Sequence, residues 1–245
     1  MSSGPKGGPQ APPASLWLAL AATGLGLTLA YLLKGQCALH PWADNFQYRH
    51  LCYNDIQPLY GVRGISKGLL PYRDVMVEYP VLTGMFMDLC GRVLRALVRL
   101  DLIGEATDGA YLALTSLLLA PCAIAVTLLL RPRVTRARLM IWAVGTPMVL
   151  YAFHNWDLLA VAAAVWGLVA FERKRNGTAG AALAAGASAK LYPAFLMPGA
   201  VLARWSTGDR RGATRAVLMF LAVYVAINVP WLVISSGDPP ARQDS

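Results

Sequence analysis

Uncharged apolar runs at 16–33, 109–130, 139–153, 158–171, 176–189, 191–203 and 216–237 alternate with polar connections along the chain. A bilayer core takes about 20 helical residues to cross. The first, second and last runs meet that length alone. The middle four do so only where the polar residues between them are enclosed in protein or line a water-filled cavity. The pattern predicts an all-α polytopic membrane protein with about seven transmembrane helices. It divides the chain into a tail at 1–14, a first transmembrane helix at 15–34, a long loop at 35–108, a transmembrane helical bundle at 109–235 and a polar tail at 236–245. The run 16–33 lacks the basic leader and small-residue cleavage site of a secretory signal, so it reads as a retained span.

The stretch 81–100 is also apolar, but Asp88, Arg92, Arg95 and Arg99 recur in it at spacings of four, three and four. That spacing places them on one helical face, opposite Leu89, Val93 and Leu97. The segment is therefore predicted to lie along the membrane interface and not to cross it.

Composition sharpens the class. Of the 245 residues, 56% are apolar and 14% charged, against roughly 45–50% and 25% in soluble domains. A typical soluble enzyme and a disordered chain are both excluded. The net charge of +9 sits in basic clusters beside apolar runs, with no aromatic-basic nucleic-acid motif, and the positive-inside rule accounts for it. The clusters are Arg131, Arg133, Arg136 and Arg138; Arg173, Lys174 and Arg175; and Arg204, Arg210, Arg211 and Arg215. Placing them in the cytoplasm puts the N-terminus inside and the 35–108 loop outside, together with the links 154–157 and 190–193. The Gly-, Pro- and Ser-rich 1–14 segment is then a disordered cytoplasmic tail. The sequon Asn176-Gly177-Thr178 falls on the cytoplasmic side and carries no weight.

The four cysteines show no metal-ligand spacing, and no metal site is expected. Cys37 and Cys52 share the outer loop, where oxidation can occur and a bridge would stabilise by about 3 kcal/mol. Two unpaired thiols are the other reading, because spacing does not determine pairing.

That loop holds most of the chain's 13 acidic residues and the dense run Cys52-Tyr53-Asn54-Asp55-Ile56-Gln57-Pro58-Leu59-Tyr60. Leu70-Pro71-Tyr72-Arg73-Asp74 and Val77-Glu78-Tyr79-Pro80 follow it. The loop is expected to fold against the membrane. Asp55 then caps a helix over 56–67, serves chemistry, or does both. Two polar islands interrupt the later apolar runs: His154-Asn155-Trp156-Asp157 and Lys190-Leu191-Tyr192-Pro193. Ionisable groups near membrane depth are costly and tend to be functional. Helix capping by Asp157 and snorkelling by Lys190 are the structural alternatives. Both islands face the side of Asp55, so an acid, a His-Asp pair and a lysine can converge on one outward cavity. A carboxylate can take the proton of an attacking hydroxyl while a cation stabilises a departing phosphate. This is the logic of sugar transfer from a phosphate-linked donor. With no Asp-x-Asp, Walker or Rossmann pattern, a nucleotide-binding catalytic domain is not expected.

The loop motifs, followed by Asn155-Trp156-Asp157-Leu158-Leu159 and Ala189-Lys190-Leu191-Tyr192-Pro193, together resemble glycosyltransferase family 87 in order and separation from Leu16 to Val233. The resemblance implies a GT-C-like N-terminal module of an actinobacterial integral membrane enzyme. Such an enzyme moves a sugar, mannose by family expectation, from a polyprenyl-phosphate donor to an envelope glycolipid or glycan at the outer face of the cell membrane. It implies no cofactor beyond the lipid-linked donor and leaves the need for a divalent metal open. Asp55 maps onto the family's catalytic acid and would deprotonate the acceptor hydroxyl in a single inverting displacement. Charge and side suggest the remaining substrate-binding roles: Lys190 on the donor phosphate, with Arg63 second; Glu78 and Asp157 positioning sugar or acceptor; His154 assisting; Tyr60 and Tyr192 lining the site. Family members run longer, with further spans, so the chain reads as a truncated module. Two other classes stay open: a transporter or flippase for a lipid-linked anionic substrate, and a noncatalytic membrane fragment.

Overall fold

The computed structural model describes residues 14–40 and 42–235. Residues 1–13 of the expected tail at 1–14, and the expected tail at 236–245, lie outside the described residues. Apart from an isolated bridge between Pro71 and Val75, the described architecture is built from helices and turns. Among the described residues, three helices are long and apolar enough to cross a membrane: α1 (Leu16–Leu39), α5 (Asp108–Leu130) and α11 (Arg210–Ser235). Local chemistry starts two of them. The Ser15 hydroxyl accepts from the Leu18 amide and the Thr107 hydroxyl from the Ala110 amide, satisfying donors that the first turn leaves free. Leu25, Leu32, Leu117, Leu218 and Leu221 on these helices are exposed, an apolar surface of the kind that meets lipid. Inside, α1 meets α5 through the Thr23 and Thr127 hydroxyls, 2.7 Å apart. Trp142 of α6 (Arg136–Val144) donates to the same Thr127 oxygen at 3.0 Å.

The intermediate apolar runs divide where their backbones require it. The run 139–153 breaks after α6 at Gly145, which is extended, and resumes as α7 (Thr146–Tyr151) with a proline in its first turn. Pro147 has no amide with which to continue the preceding helix. The run 191–203 becomes a 3-10 turn, Tyr192–Phe195, and α10 (Leu196–Ser206). Between them α8 (Asp157–Glu172) and α9 (Asn176–Ala189) form an antiparallel hairpin, and α9 lies between α8 and α11. At 16, 14 and 11 residues, α8, α9 and α10 are about 24, 21 and 16 Å long, shorter than a hydrocarbon core of about 30 Å. The seven apolar runs thus yield three membrane-length helices among the described residues. Small residues seat α9: a Cβ at Gly180 would stand 2.1 Å from the Ala216 carbonyl oxygen of α11, and one at Gly167 of α8 would stand 2.8 Å from Leu183. Close backbone approach of this kind drives helix association where lipid surrounds the bundle.

The 35–108 segment folds over one end of these helices as α2 (Phe46–Arg49), α3 (Ile56–Val62) and α4 (Val81–Arg99). The expected helix over 56–67 stops at Val62, and the chain turns back through Gly64 and Gly68, both at positive φ. The disposition of α4 also differs from the sequence expectation. Asp88 is buried and pairs with Arg92 at 2.7 Å, Arg95 donates to the Ile65 carbonyl, and Leu89 lies on the exposed side. Of the polar face of α4, Asp88 is buried and Arg95 is bonded to the loop, while Arg92 and Arg99 stay exposed; the loop packs Ile65 against Gly91 and Tyr72 against Gly84. A core of Ile56, Tyr60, Ile65, Met87, Leu94, Tyr111 and Trp156 fills the space between loop and bundle.

Candidate active site

Asp55 occupies the N-cap position of α3 but does not cap it. The neighbouring Asn54 does: its side-chain oxygen accepts from the Gln57 amide at 3.0 Å, while its amide group donates to the Cys52 carbonyl and to Gln57. The Asp55 carboxylate is thereby released for tertiary contacts. Tyr53 donates to one of its oxygens at 2.9 Å and Tyr79 to the other at 2.5 Å. The bond to Asp55, with burial behind it, pushes the Tyr53 phenol up to about 12. Burial, then the bond to Asp55, pushes Tyr79 up as well. Both phenols therefore stay protonated donors at neutral pH and hold the carboxylate in one orientation, with lone pairs left over for a further proton.

Three more contacts fix this loop. The Cys37–Cys52 disulfide ties the end of α1 to the residue two before Asn54 in the turn. Lys34 of α1, buried to 3% exposure, donates to the Leu51 and Tyr53 carbonyls at 3.1 and 2.8 Å. The Asp55 amide donates to the His154 carbonyl at 2.7 Å. The His154 ring lies between Tyr53 and Tyr151, with Nδ1 3.2 Å from the Tyr53 carbonyl. A carbonyl can only accept, so Nδ1 carries the hydrogen and Nε2 is left as an acceptor. Burial and the Lys34 cation push His154 below its usual range, which keeps it neutral. Lys34, Gln47, Tyr48, Tyr53, Tyr151 and His154 line a cavity of about 240 Å³ beside the clamped carboxylate.

The second polar island completes the cluster. Asn155 accepts from the Asp157 amide at 3.0 Å, so Asp157 too is spared the capping role. It pairs with Lys190, whose ammonium lies 2.5 and 2.6 Å from its two oxygens. Lys190 stands at the C-terminal end of α9, where the helix dipole favours a cation. It makes a defined ion pair with Asp157. Both partners are more than a third exposed, and such a pair contributes only about 0.2–1 kcal/mol to stability. Tyr192, next in the turn, is pushed up to about 12 by burial and by Asp157. Tyr79 joins the two groups of residues: its hydroxyl holds Asp55, its ring meets Trp156 edge-on at 5.2 Å, and Asp157 is among the charges that raise it. Thr83 of α4 donates to the Ala189 carbonyl at 2.7 Å, fixing the loop to the end of α9.

Not every sequence candidate reaches this cluster. Arg63 and Glu78 pair with each other at 2.6 Å. Tyr60 is a correction: at 1% exposure it stacks on Tyr111 at 4.3 Å and belongs to the core, because α3 turns that face toward α5. Conversely, the sequence alone does not mark Lys34, Tyr53 or Tyr79 as site residues. Lys34 reads as an ordinary flanking lysine of a span, and Tyr79 as the residue before a proline. Among the described residues no three His, Cys, Asp or Glu side chains gather as metal ligands.

No curated protein and no solved structure matches the chain. The family model of glycosyltransferase family 87 matches residues 93–241. The matched segment contains His154, Asp157, Lys190 and Tyr192; Asp55, Arg63 and Glu78 precede it. A match over more than half of the chain places it, and it belongs to glycosyltransferase family 87.

Proposed function

We propose that this membrane glycosyltransferase uses a polyprenyl-phosphate sugar, with mannose as the sugar, and glycosylates an envelope glycolipid or glycan. The reaction takes place at the outer face of the cell membrane, with the N-terminus in the cytoplasm. The observation that carries the proposal is the Asp55 carboxylate, held by two phenols at 2.9 and 2.5 Å beside the cavity lined by Lys34 and His154. An acceptor hydroxyl attacks the anomeric carbon and its proton passes to Asp55. The bond from that carbon to the phosphate oxygen breaks, and polyprenyl phosphate leaves with the electron pair. One displacement inverts the anomeric centre. Lys190 meets the phosphate as its charge grows, while Asp157 orients Lys190 and the sugar or acceptor. His154 supplies the Nε2 acceptor, and Tyr192 borders the phosphate. The step as written requires no cofactor beyond the lipid-linked donor. Support comes from the family and from the convergence of these groups from α1, the loop, α8 and α9.

The test is transfer from polyprenyl-phosphate mannose in membranes containing the inserted chain, with Asp55→Asn alongside. Loss of a general base costs about 10²–10⁴-fold, so transfer should fall by that factor while insertion is unchanged. Equal transfer by the variant would remove Asp55 as the base.

A further inference from the structure

An apolar groove of about 260 Å³ runs between α1 and α5 on the side of the bundle that carries the cavity beside Asp55. Leu27 and Tyr31 of α1, Ala113, Ser116 and Ala120 of α5, and Phe153 line it. Groove and cavity adjoin at two points. Tyr31 lies one turn before Lys34 on α1, Phe153 is joined directly to His154, and Lys34 and His154 both line the cavity. Leu27 stands about 10 Å along α1 from Lys34, so the groove keeps to the loop-side half of a hydrocarbon core about 30 Å thick. A cavity at the membrane surface that leads into a groove of one leaflet's depth has the form of a lipid site, with the head above and a chain below.

Unsatisfied polar atoms indicate which lipid. The Gln47 side-chain oxygen is buried without a hydrogen-bond partner among the described residues, and Gln47 lines the cavity. Nε2 of His154 is a second acceptor there. Both need donors, which sugar hydroxyls supply and an ionised phosphate does not. The rings of Tyr48, Tyr53 and Tyr151 form the walls, each an apolar body with a polar tip. Among the described residues, Lys34 is the only lysine or arginine that lines either the cavity or the groove. It is 3% exposed and already donates to the Leu51 and Tyr53 carbonyls, so a phosphate at the junction would meet a committed cation. Within the groove, the Ser116 hydroxyl is also unpartnered among the described residues, at 4% exposure. An unmet buried polar group is costly. A polyprenyl chain is hydrocarbon throughout and offers this hydroxyl no acceptor, whereas the ester carbonyl of an acyl chain does.

We propose that cavity and groove together bind the acceptor, and that the acceptor is an ester-linked acyl glycolipid whose receiving sugar lies next to its lipid. The sugar occupies the cavity beside Asp55 and one acyl chain lies in the groove. A soluble glycan, or a long glycan with many sugars between lipid and growing end, cannot fill both. The acceptor role rests on the proposed reaction; the lipid site itself does not.

The full chain in neutral detergent is titrated with monomannosyl diacylglycerol, and bound lipid is counted by native mass spectrometry. One saturable equivalent is expected, displaced neither by phosphatidylcholine nor by polyprenyl phosphate. The dialkyl ether of the same head, and Ser116→Ala with the ester lipid, should each bind about 2–13-fold more weakly. Combined, they should lose no more than either alone, because both remove the same hydrogen bond. Gln47→Ala should weaken ester and ether lipids alike, by about the same factor. Ala113→Leu with Ala120→Leu fills the groove and should abolish binding, while Leu218→Phe on the exposed face of α11 should leave it unchanged. If the paired alanine variant does not fold, the ester–ether comparison with Ser116→Ala carries the test. Absence of saturable binding, or equal displacement by phosphatidylcholine, would overturn the site, and displacement by polyprenyl phosphate would assign the groove to the donor instead. Because binding is read without transfer, the two readings fail separately. Glycolipid bound but not glycosylated would refute the acceptor role, whereas transfer to methyl mannoside with no glycolipid bound would refute the lipid site and leave the Asp55 chemistry standing.

Discussion

Removing the Cys37–Cys52 bridge probes the loop that carries Asp55. The bond spans a sequence separation of 15, and closing a loop of that size removes denatured-state entropy worth about 3 kcal/mol. For a chain of this length each kcal/mol moves Tm by about 2–4 °C, so Cys37→Ser with Cys52→Ser should lower Tm by about 6–12 °C. Activity should fall too. Without the bridge, the segment leading to Asp55 is held by the two Lys34 bonds to the Leu51 and Tyr53 carbonyls and the amide bond to His154. Alkylation of the denatured wild-type chain, weighed by mass spectrometry, checks the premise. Cys90 and Cys122 are free, so two labels are expected without reductant and four with it. Scanning fluorimetry then measures the shift. Four labels without reductant, or an unchanged Tm in the double variant, would refute the reasoning. Because disulfides persist in oxidising compartments, the same labelling in intact cells reports which side of the membrane the loop occupies.

Tyr79→Phe deletes the 2.5 Å bond to Asp55; bonds to charged groups count for about 1.5–3 kcal/mol, so transfer should fall about 10–150-fold with insertion intact. Unchanged transfer would show that Tyr79 does not position the carboxylate. His154 is held below its usual range by burial and Lys34, so as pH falls the unfolded chain takes up a proton before the folded one does. The stability this contributes is complete above about pH 6.5 and is lost as pH falls from there through the folded-state value. His154→Gln should flatten that decline in a Tm series over about pH 5 to 8, and parallel curves would assign the decline to other groups. Gly180→Ala places a methyl group 2.1 Å from the Ala216 carbonyl oxygen, a backbone atom that cannot rotate away. It should destabilise by about 1–3 kcal/mol, and a wild-type Tm would contradict the α9–α11 contact.

Some of this was legible one residue at a time. The three membrane-length helices follow from the length of uninterrupted apolar runs, a property of the chain read linearly. The two polar islands stood out because ionisable groups are costly inside apolar runs. Of the motifs that carry the resemblance, 155–159 and 189–193 fall within the family match at 93–241, and those at 52–82 precede it.

What the tertiary structure decided is which groups meet. Asp55 receives a phenol 24 residues later and lies on a turn held by a lysine about as far before it, while Asp157 finds Lys190 across a separation of 33. Nothing local distinguishes Tyr79, which holds the carboxylate, from Tyr60, which fills the core. The same limit explains α4, whose spacing marks a polar and an apolar side without saying which residues of each are covered. Asp88 is buried and Leu89 exposed, while Arg92 and Arg99 on the polar side stay exposed. Hydrophobic periodicity reports the faces of a helix, whereas the partner of each face is set by loop closure and packing. For apolar helices such as α8 and α9 even the face is unmarked, and only the close backbone approaches at Gly167 and Gly180 reveal it.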